Sequence, residues 1–577
     1  MRVAIRILIL LFTFSLAASQ AQQPAPAASP SPSAATSLPT LKVTTRLVVV
    51  DVVAVDSKGR PIPDLKAEDF SVLEEGSAQS IKVFNFQQPV SADQAQQSPA
   101  KTPSNLVTNV PSYKPNRALS VLLLDGLNTD NLSQKYARQE MLKYLEKLPA
   151  GQPVAIYLLS NKLRLLQDFT TDPALLQQAL GKIKDKNSVL LKSDPALSSA
   201  AAQSLTQMGL QSMVAQIQGF QQEEVAAQVD LRVDTTVNAL MSLARTLAGY
   251  PGRKNLIWVS SSFPSNLFDL AGLNSTSSRR QVSAISEARS YSNPIERLSS
   301  ALSNARVAVY PVDTRGVGGF GSVSNRDENA ASGGAADRQS AHTTMNTVAE
   351  RTGGRAFYNT NDLADAIREG IEDGATYYTL GYYPENKDWN GKFRKILVKL
   401  NHTGVKLHYR EGYIATDPRA YLKMDAKQQA IDFGQALNLD TPIATGLPFK
   451  SAIIMPSEKT ANKLVVNFGI DAHALSFELQ DDGLQHTSVD CAVQIFNNKG
   501  TAVRAPLAQN FSAALNPDQY QMVLQKFFPC NQVFELSPGD YLLRLGVRDN
   551  TTGLIGTVSA PVTIAASTAG PGAPAKP

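Results

Sequence analysis

The run Val121–Asp130, VLLLDGLNTD, ends an apolar stretch on Asp125 and continues through Gly126, Leu127, Asn128, Thr129 and Asp130. Carboxyl, amide and hydroxyl oxygens gathered in one short segment offer three kinds of chemistry. They can ligate a hard divalent cation, which takes oxygen donors and keeps open positions for water or a partner's carboxylate. Asp125 can act as a nucleophile if a base or cation activates it. Or Asp125 or Asn128 can cap the next helix while Thr129 satisfies backbone donors.

Other chemistry-bearing residues are sparser. The five histidines, at 342, 402, 408, 473 and 486, include no close pair with metal-ligand spacing on a helix, and read as solvated strand residues. GVGGFG at 316–321 follows Asp313-Thr314-Arg315 and leads into a polar stretch instead of opening a helix, so it reads as a loop and not a dinucleotide fingerprint. In TYYTLGYYPE the tyrosines 377, 378, 382 and 383, with Trp389 nearby, could face a glycan or peptide. Cross-strand packing is the expectation, because aromatics are ordinary strand residents.

The elements that must position Asp125 are apolar runs alternating with helical periodicity. Strands are expected at Leu119–Leu124, Val154–Leu159, Asn255–Val259 and Arg306–Val312, and Ala137, Met141, Leu145 and Leu148 mark one helical face between them. Asx-Pro pairs at Asp172-Pro173, Asp194-Pro195 and Asn293-Pro294 read as helix starts. Such alternation predicts a parallel sheet covered on both faces, with ligands beyond the carboxyl ends of the strands. The residues there are Asp125 to Thr129, Ser160-Asn161, Ser260 to Ser262 and Asp313, with the loop Asp168 to Asp172 placed near the same edge. Residues 196–230 read as an inserted helical excursion, and 314–340 as a surface loop.

The 577 residues are too many for one core, so several domains are expected. Residues 1–21 carry Arg2, Arg6, an apolar run and a small-x-small site, the pattern of a cleavable export signal. Its removal deletes two Arg and no acid, taking the formal charge from +5 to +3, too little to point to nucleic acid. No later run is apolar enough to span a membrane, so a protein working in the periplasm or outside the cell is expected. A Pro/Ala/Ser linker covers 22–40, β patterning covers 41–90, and a second loose linker leads to the α/β domain at 115–375. β patterning returns at 376–416, and neither β piece alone has strands enough for a core, so the α/β domain is read as inserted into one discontinuous β module. Residues 445–565 read as a C-terminal β-sandwich and 566–577 as a disordered tail. Cys491 and Cys530, late in an exported chain, suggest a disulfide, with two buried thiols as the alternative.

The ordered set VVVDVVAVDSKGRPIPDLKAEDFSVLEEG, SVLLLDGLNTD, QDFTTDP, GRKNLIWVSSSFP, VAVYPVDTRGV, ERTGGRAFY and YYTLGYYPENKDWNGKFRKILVKL resembles bacterial exported proteins with a von Willebrand factor type A (VWFA-related) domain. The resemblance implies a Rossmann-like α/β fold, an adhesion-type role toward an extracytoplasmic protein, and a metal-ion-dependent adhesion site for Mg²⁺ or another divalent cation. That site takes Asp-x-Ser-x-Ser, a loop Thr, and an Asp after the fourth strand. Carried over, the ligands are Asp125, Thr129 and Thr170 (or Thr171), while Leu127 stands at the first Ser and Ser260 to Ser262 replace the second acid. With one carboxylate the site is degenerate, and metal-free binding of a partner through Asn128, Asp130, Ser260 and Ser261 is the competing expectation. The same string is similar to haloacid-dehalogenase-type phosphohydrolases, with Asp125, Thr129 and Ser260 in matching places. Leu127 stands where their second acid should be, so the group that protonates the leaving group is missing. The reading is a non-enzymatic interaction protein, with a periplasmic phosphohydrolase or an envelope scaffold as alternatives.

Overall fold

The computed structural model of the chain describes residues 46–88, 105–111, 118–183, 204–261, 298, 301–316, 328–457 and 463–565. The expected export signal, the linker at 22–40, the helix starts at Asp194 and Asn293, and the C-terminal tail lie outside them.

Five strands form the central sheet: β1 (Leu119–Asp125), β2 (Val154–Leu159), β3 (Leu163–Thr170), β4 (Lys254–Ser260) and β5 (Val307–Asp313). Their order is β5-β4-β1-β2-β3, and all neighbours run parallel except β2 and β3. Strands β1, β4 and β5 are buried along their whole length, as near-continuous apolar runs in a two-sided sheet must be. Alternate residues of β1 serve opposite cores. Val121 and Leu123 pack with the far half of α3 (Gln211–Leu247) and with α4 (Glu328–Thr352), whereas Leu122 and Leu124 pack with α1 (Asn131–Glu146), α2 (Pro173–Gly181) and α5 (Leu363–Asp373). The strand order reverses between β1 and β4, so their carboxyl ends flank the switch point where open sheets bind ligands.

Four sequence expectations are corrected. The segment Leu163–Thr170 is an antiparallel strand, not a loop at the carboxyl edge; charged and polar side chains on its outer face hid its strand character. From Gln211 the proposed excursion is the front of one 37-residue helix whose later residues Val233, Val237, Leu240 and Leu243 are core. Residues 328–340 belong to a helix where a loop was expected. Leu106–Thr108, placed in a linker, adds an edge strand beside Phe449–Ile454.

Around the α/β domain lie two antiparallel arrangements. In the first, strands from 48–87 pair with strands from 377–414 in two four-stranded sheets, which share a core of Val50, Val52, Phe70, Val72, Leu380, Ile396 and Val398. Glu74, 3 % exposed, is held there by Arg394 at 3.1 Å, Tyr382 at 2.7 Å and Tyr413 at 3.0 Å. Tyr377, Tyr378 and Tyr382 are buried, so the aromatic run packs inside and only Tyr383 stays exposed. In the second, two antiparallel sheets from 449–564 share one apolar cluster, and a Cys491–Cys530 disulfide joins strands of the two. Closing a loop across 39 positions stabilises by about 3–4 kcal/mol through chain entropy. Cys491→Ser with Cys530→Ser is expected to lower the unfolding free energy by about that amount, read from urea curves with and without reductant.

Candidate functional site

The loop after β1 is built by Asp125 itself. Its Oδ1 accepts from the backbone N–H of Leu127 at 3.1 Å and of Asn128 at 2.9 Å, an Asx-type turn that folds the chain back at the end of the strand. Gly126 permits the fold because its N–H donates to the Leu159 carbonyl at 2.7 Å, and a Cβ there would meet that oxygen at 3.2 Å. Asp130 caps α1, accepting from Leu132 and Ser133 at 3.0 Å each, so the cap falls on neither Asp125 nor Asn128. Gln134 reaches back from α1 to the Thr129 carbonyl at 2.6 Å and fixes the loop on the helix.

The second oxygen of Asp125 is equally engaged. Oδ2 accepts from Asn128 Nδ2 at 2.9 Å, Trp258 Nε1 at 3.0 Å and the Ser260 hydroxyl at 3.0 Å. Thr129 Oγ1 accepts from the Ser261 N–H at 3.1 Å, and Ser261 Oγ donates to the Asn128 carbonyl at 3.2 Å. On the outer side of Asn128 stands Arg232 of α3, whose Nε donates to Asn128 Oδ1 at 3.1 Å. Thr236, one turn further along α3, accepts from Asn128 Nδ2 at 3.1 Å. Burial pushes the Asp125 carboxyl up from its ordinary value, opposed by the bonds from Asn128, Trp258 and Ser260. Burial lowers Arg232, and the negative charge of Asp125 opposes that. The Asn128 side chain thus bridges the two, its Nδ2 donating to Asp125 Oδ2 and its Oδ1 accepting from Arg232.

The residues expected at the site are distributed as follows. Asp125, Asn128, Thr129, Ser260 and Ser261 converge, and all are buried: Asp125, Thr129 and Ser260 at 0 %, Asn128 at 1 % and Ser261 at 8 % exposure. Asn128, Ser260 and Ser261 are thus withdrawn from the surface where a partner would meet them, and Asp130 alone of that set is exposed. Thr170 leaves the ligand set. It pairs with Val154 at the amino end of β2, while Asp125 lies level with Leu159 at the other end, about 16 Å away along the strand. Thr171 follows it in the chain at that far end. Leu127, in place of the first Ser, points into the core at 0 % exposure.

Arg232, Thr236 and Trp258 escaped the sequence reading. Trp258 had a signal, since an indole N–H inside an aliphatic strand requires an acceptor. Arg232 and Thr236, a turn apart beside the apolar stripe of α3, had none that is local.

A second cluster sits at the same edge. Asp313, ending β5, pairs with Arg315 at 2.8 Å and lies 3.2 Å from His342 Nε2. His342 stacks on Tyr358 with ring centroids 4.2 Å apart, so it is a half-enclosed helix residue and not a solvated strand residue.

The chain resembles the von Willebrand factor type A domains. No family model and no curated protein matches it. Among solved structures, a type A protein from Catenulispora acidiphila is 10 % identical, with 56 % of this chain and 72 % of that one covered and a TM-score of 0.21. An aerotolerance-related membrane protein from Bacteroides fragilis is 12 % identical, covering 44 % of this chain and 98 % of that one, with a TM-score of 0.23. Proximal thread matrix protein 1 from the mussel byssus, in a form with a zinc-occupied MIDAS motif, is 10 % identical over 47 % and 49 % of the two chains, TM-score 0.22.

At the type A metal position the described residues bring one carboxylate, that of Asp125, together with the hydroxyls of Thr129 and Ser260. Both Asp125 oxygens are consumed by internal donors, and among the described residues no group of three His, Cys, Asp or Glu side chains converges on a common point. A dication that resists dehydration would meet one carboxylate and a neighbouring guanidinium. The same enclosure denies Asp125 the free lone pair and open approach that a nucleophile needs.

Proposed function

We propose that this chain is an exported, non-enzymatic protein-interaction protein whose type A-like domain works without a divalent cation, with Arg232 supplying the positive charge that a cation supplies elsewhere. The observation that carries this reading is the closed coordination of Asp125, whose two oxygens accept from Leu127, Asn128, Trp258 and Ser260 with no exposed surface left. Export rests on the basic and apolar pattern of residues 1–21. The partner is an extracytoplasmic protein, and it meets the exposed residues around the carboxyl edge, Asp130, Asn131, Asn161 and Lys162.

Two measurements test this. Adding millimolar Mg²⁺ or Mn²⁺ to chelator-treated protein is expected to leave its melting temperature unchanged. Capture of a partner from intact envelope fractions is expected to persist in chelator and to be lost when Asn161→Arg is combined with Lys162→Glu. A cation-dependent rise in melting temperature that Asp125→Ala abolishes would overturn the metal-free reading.

A further inference from the structure

The other end of the central sheet carries a different concentration of charge. Arg253 and Arg306 stand immediately before β4 and β5, and Arg410 comes from the loop before Gly412–Ile414 of the β module. With Asp51, Ser303 and Thr352 they line a cavity of about 20 Å³ at the seam between module and α/β domain. That volume suits one water or one ion of chloride size. Arg306, with its side chain 28 % exposed, forms the way in.

The charges around the cavity do not balance. Both Asp51 oxygens are taken by Arg306, through Nε at 3.0 Å and through its terminal nitrogen, and Thr379 adds a bond at 2.8 Å. Arg253 donates through one terminal nitrogen to Tyr310 at 3.0 Å and to the Gly353 carbonyl, and through the other to the Asp51 carbonyl at 3.4 Å, while its Nε is buried without a partner. Arg410 Nε is likewise buried and unpartnered. Its backbone is pinned, because Gly353 at φ +80° approaches so closely that a Cβ would lie 2.7 Å from the Arg410 nitrogen. Asp51 is the one carboxylate among the residues that line the cavity, against the guanidiniums of Arg253, Arg306 and Arg410, and Asp373 also acts electrostatically on Arg253. Lys254, pushed down to about 7 chiefly by burial, adds charge only as the pH falls. A buried charge left without a partner is strongly unfavourable, and three guanidinium-bearing residues lining one small cavity with a single carboxylate leave room there for an anion.

We propose that this seam cavity binds a single monovalent anion of chloride size, held by Arg253, Arg306 and Arg410, which locks the β module onto the α/β domain. The test uses the full chain after exchange into sodium gluconate. Replacing gluconate by chloride or bromide at equal ionic strength is expected to raise the melting temperature by about 2–4 °C. Crystals grown in bromide are expected to give an anomalous peak in the cavity lined by Arg253, Arg306 and Arg410. Arg410→Met should lose the halide effect. If that variant fails to fold, Ser303→Asp, which sets a carboxylate at the cavity wall, should raise the melting temperature in gluconate and abolish the response to chloride. Equal melting temperatures in gluconate and halide, together with no bromide peak in the wild-type protein, would show that the cavity holds water alone and overturn the proposal.

Discussion

Asp125→Ala is expected to cost about 3–5 kcal/mol of folding stability in a buffer that contains only chelator, because it removes the carboxylate on which a buried network converges. The carboxylate gathers the N–H groups of Leu127 and Asn128, the Asn128 amide, the Trp258 indole and the Ser260 hydroxyl. At a site with no exposure these donors cannot turn to water, and any that finds no other acceptor adds its own desolvation cost. Arg232 also loses the negative charge beside it. Asp125→Asn keeps an oxygen for the two turn N–H groups and should recover part of the loss, though its amide hydrogens face Trp258 and Asn128 donors. Urea unfolding of the three proteins, with and without Mg²⁺, separates the readings. An Asp125 that served a cation would show a small cost in chelator and a large one in Mg²⁺, and that result would exclude the internal network as the role of this residue.

How far the sequence reaches is clearest in the central sheet. Fully buried parallel strands need unbroken apolar runs, so β1, β2, β4 and β5 could be read to within a residue of their ends, and with them the convergence of Asp125, Thr129 and Ser260. Strand β3 lies at the sheet edge with polar residues such as Arg164, Gln167 and Asp168 on it, so periodicity said little there. That one omission moved Thr170 to the wrong end of the sheet. Burial of the loop was illegible for a related reason: Asn128, Thr129, Ser260 and Ser261 are residue types that live on surfaces, and only their mutual hydrogen bonds make enclosure tolerable. Arg232 shows the hardest limit. Nothing near it in the chain indicates that it stands beside a residue 107 positions away, because the contact is set by how α3 lies across the sheet.

The same limit, met at the opposite end of the sheet, yields the second large expectation: stability should rise between pH 7 and about 10 because of Lys254. The amine is 1 % exposed, donates to the Tyr250 carbonyl at 2.7 Å, and is pushed down to about 7 from the ordinary 10.5 by burial first and the Arg306 charge second, with Asp51 opposing. Between those two values the unfolded chain holds a proton on Lys254 that the folded chain does not. More protons on the unfolded state means that unfolding grows less favourable as the pH rises, and the gain ends once the unfolded amine also deprotonates. Across the window this amounts to roughly 3–5 kcal/mol. Lys254→Met removes the titration and retains most of the side-chain volume. The difference in unfolding free energy between wild type and Lys254→Met, measured at fixed chloride from pH 7 to pH 10, cancels the tyrosines and surface lysines common to both. It should shift steadily in favour of the wild type as the pH rises. A flat difference would mean that Lys254 keeps its proton in the folded chain, and the positive charge at the seam would then be larger by one over the whole neutral range.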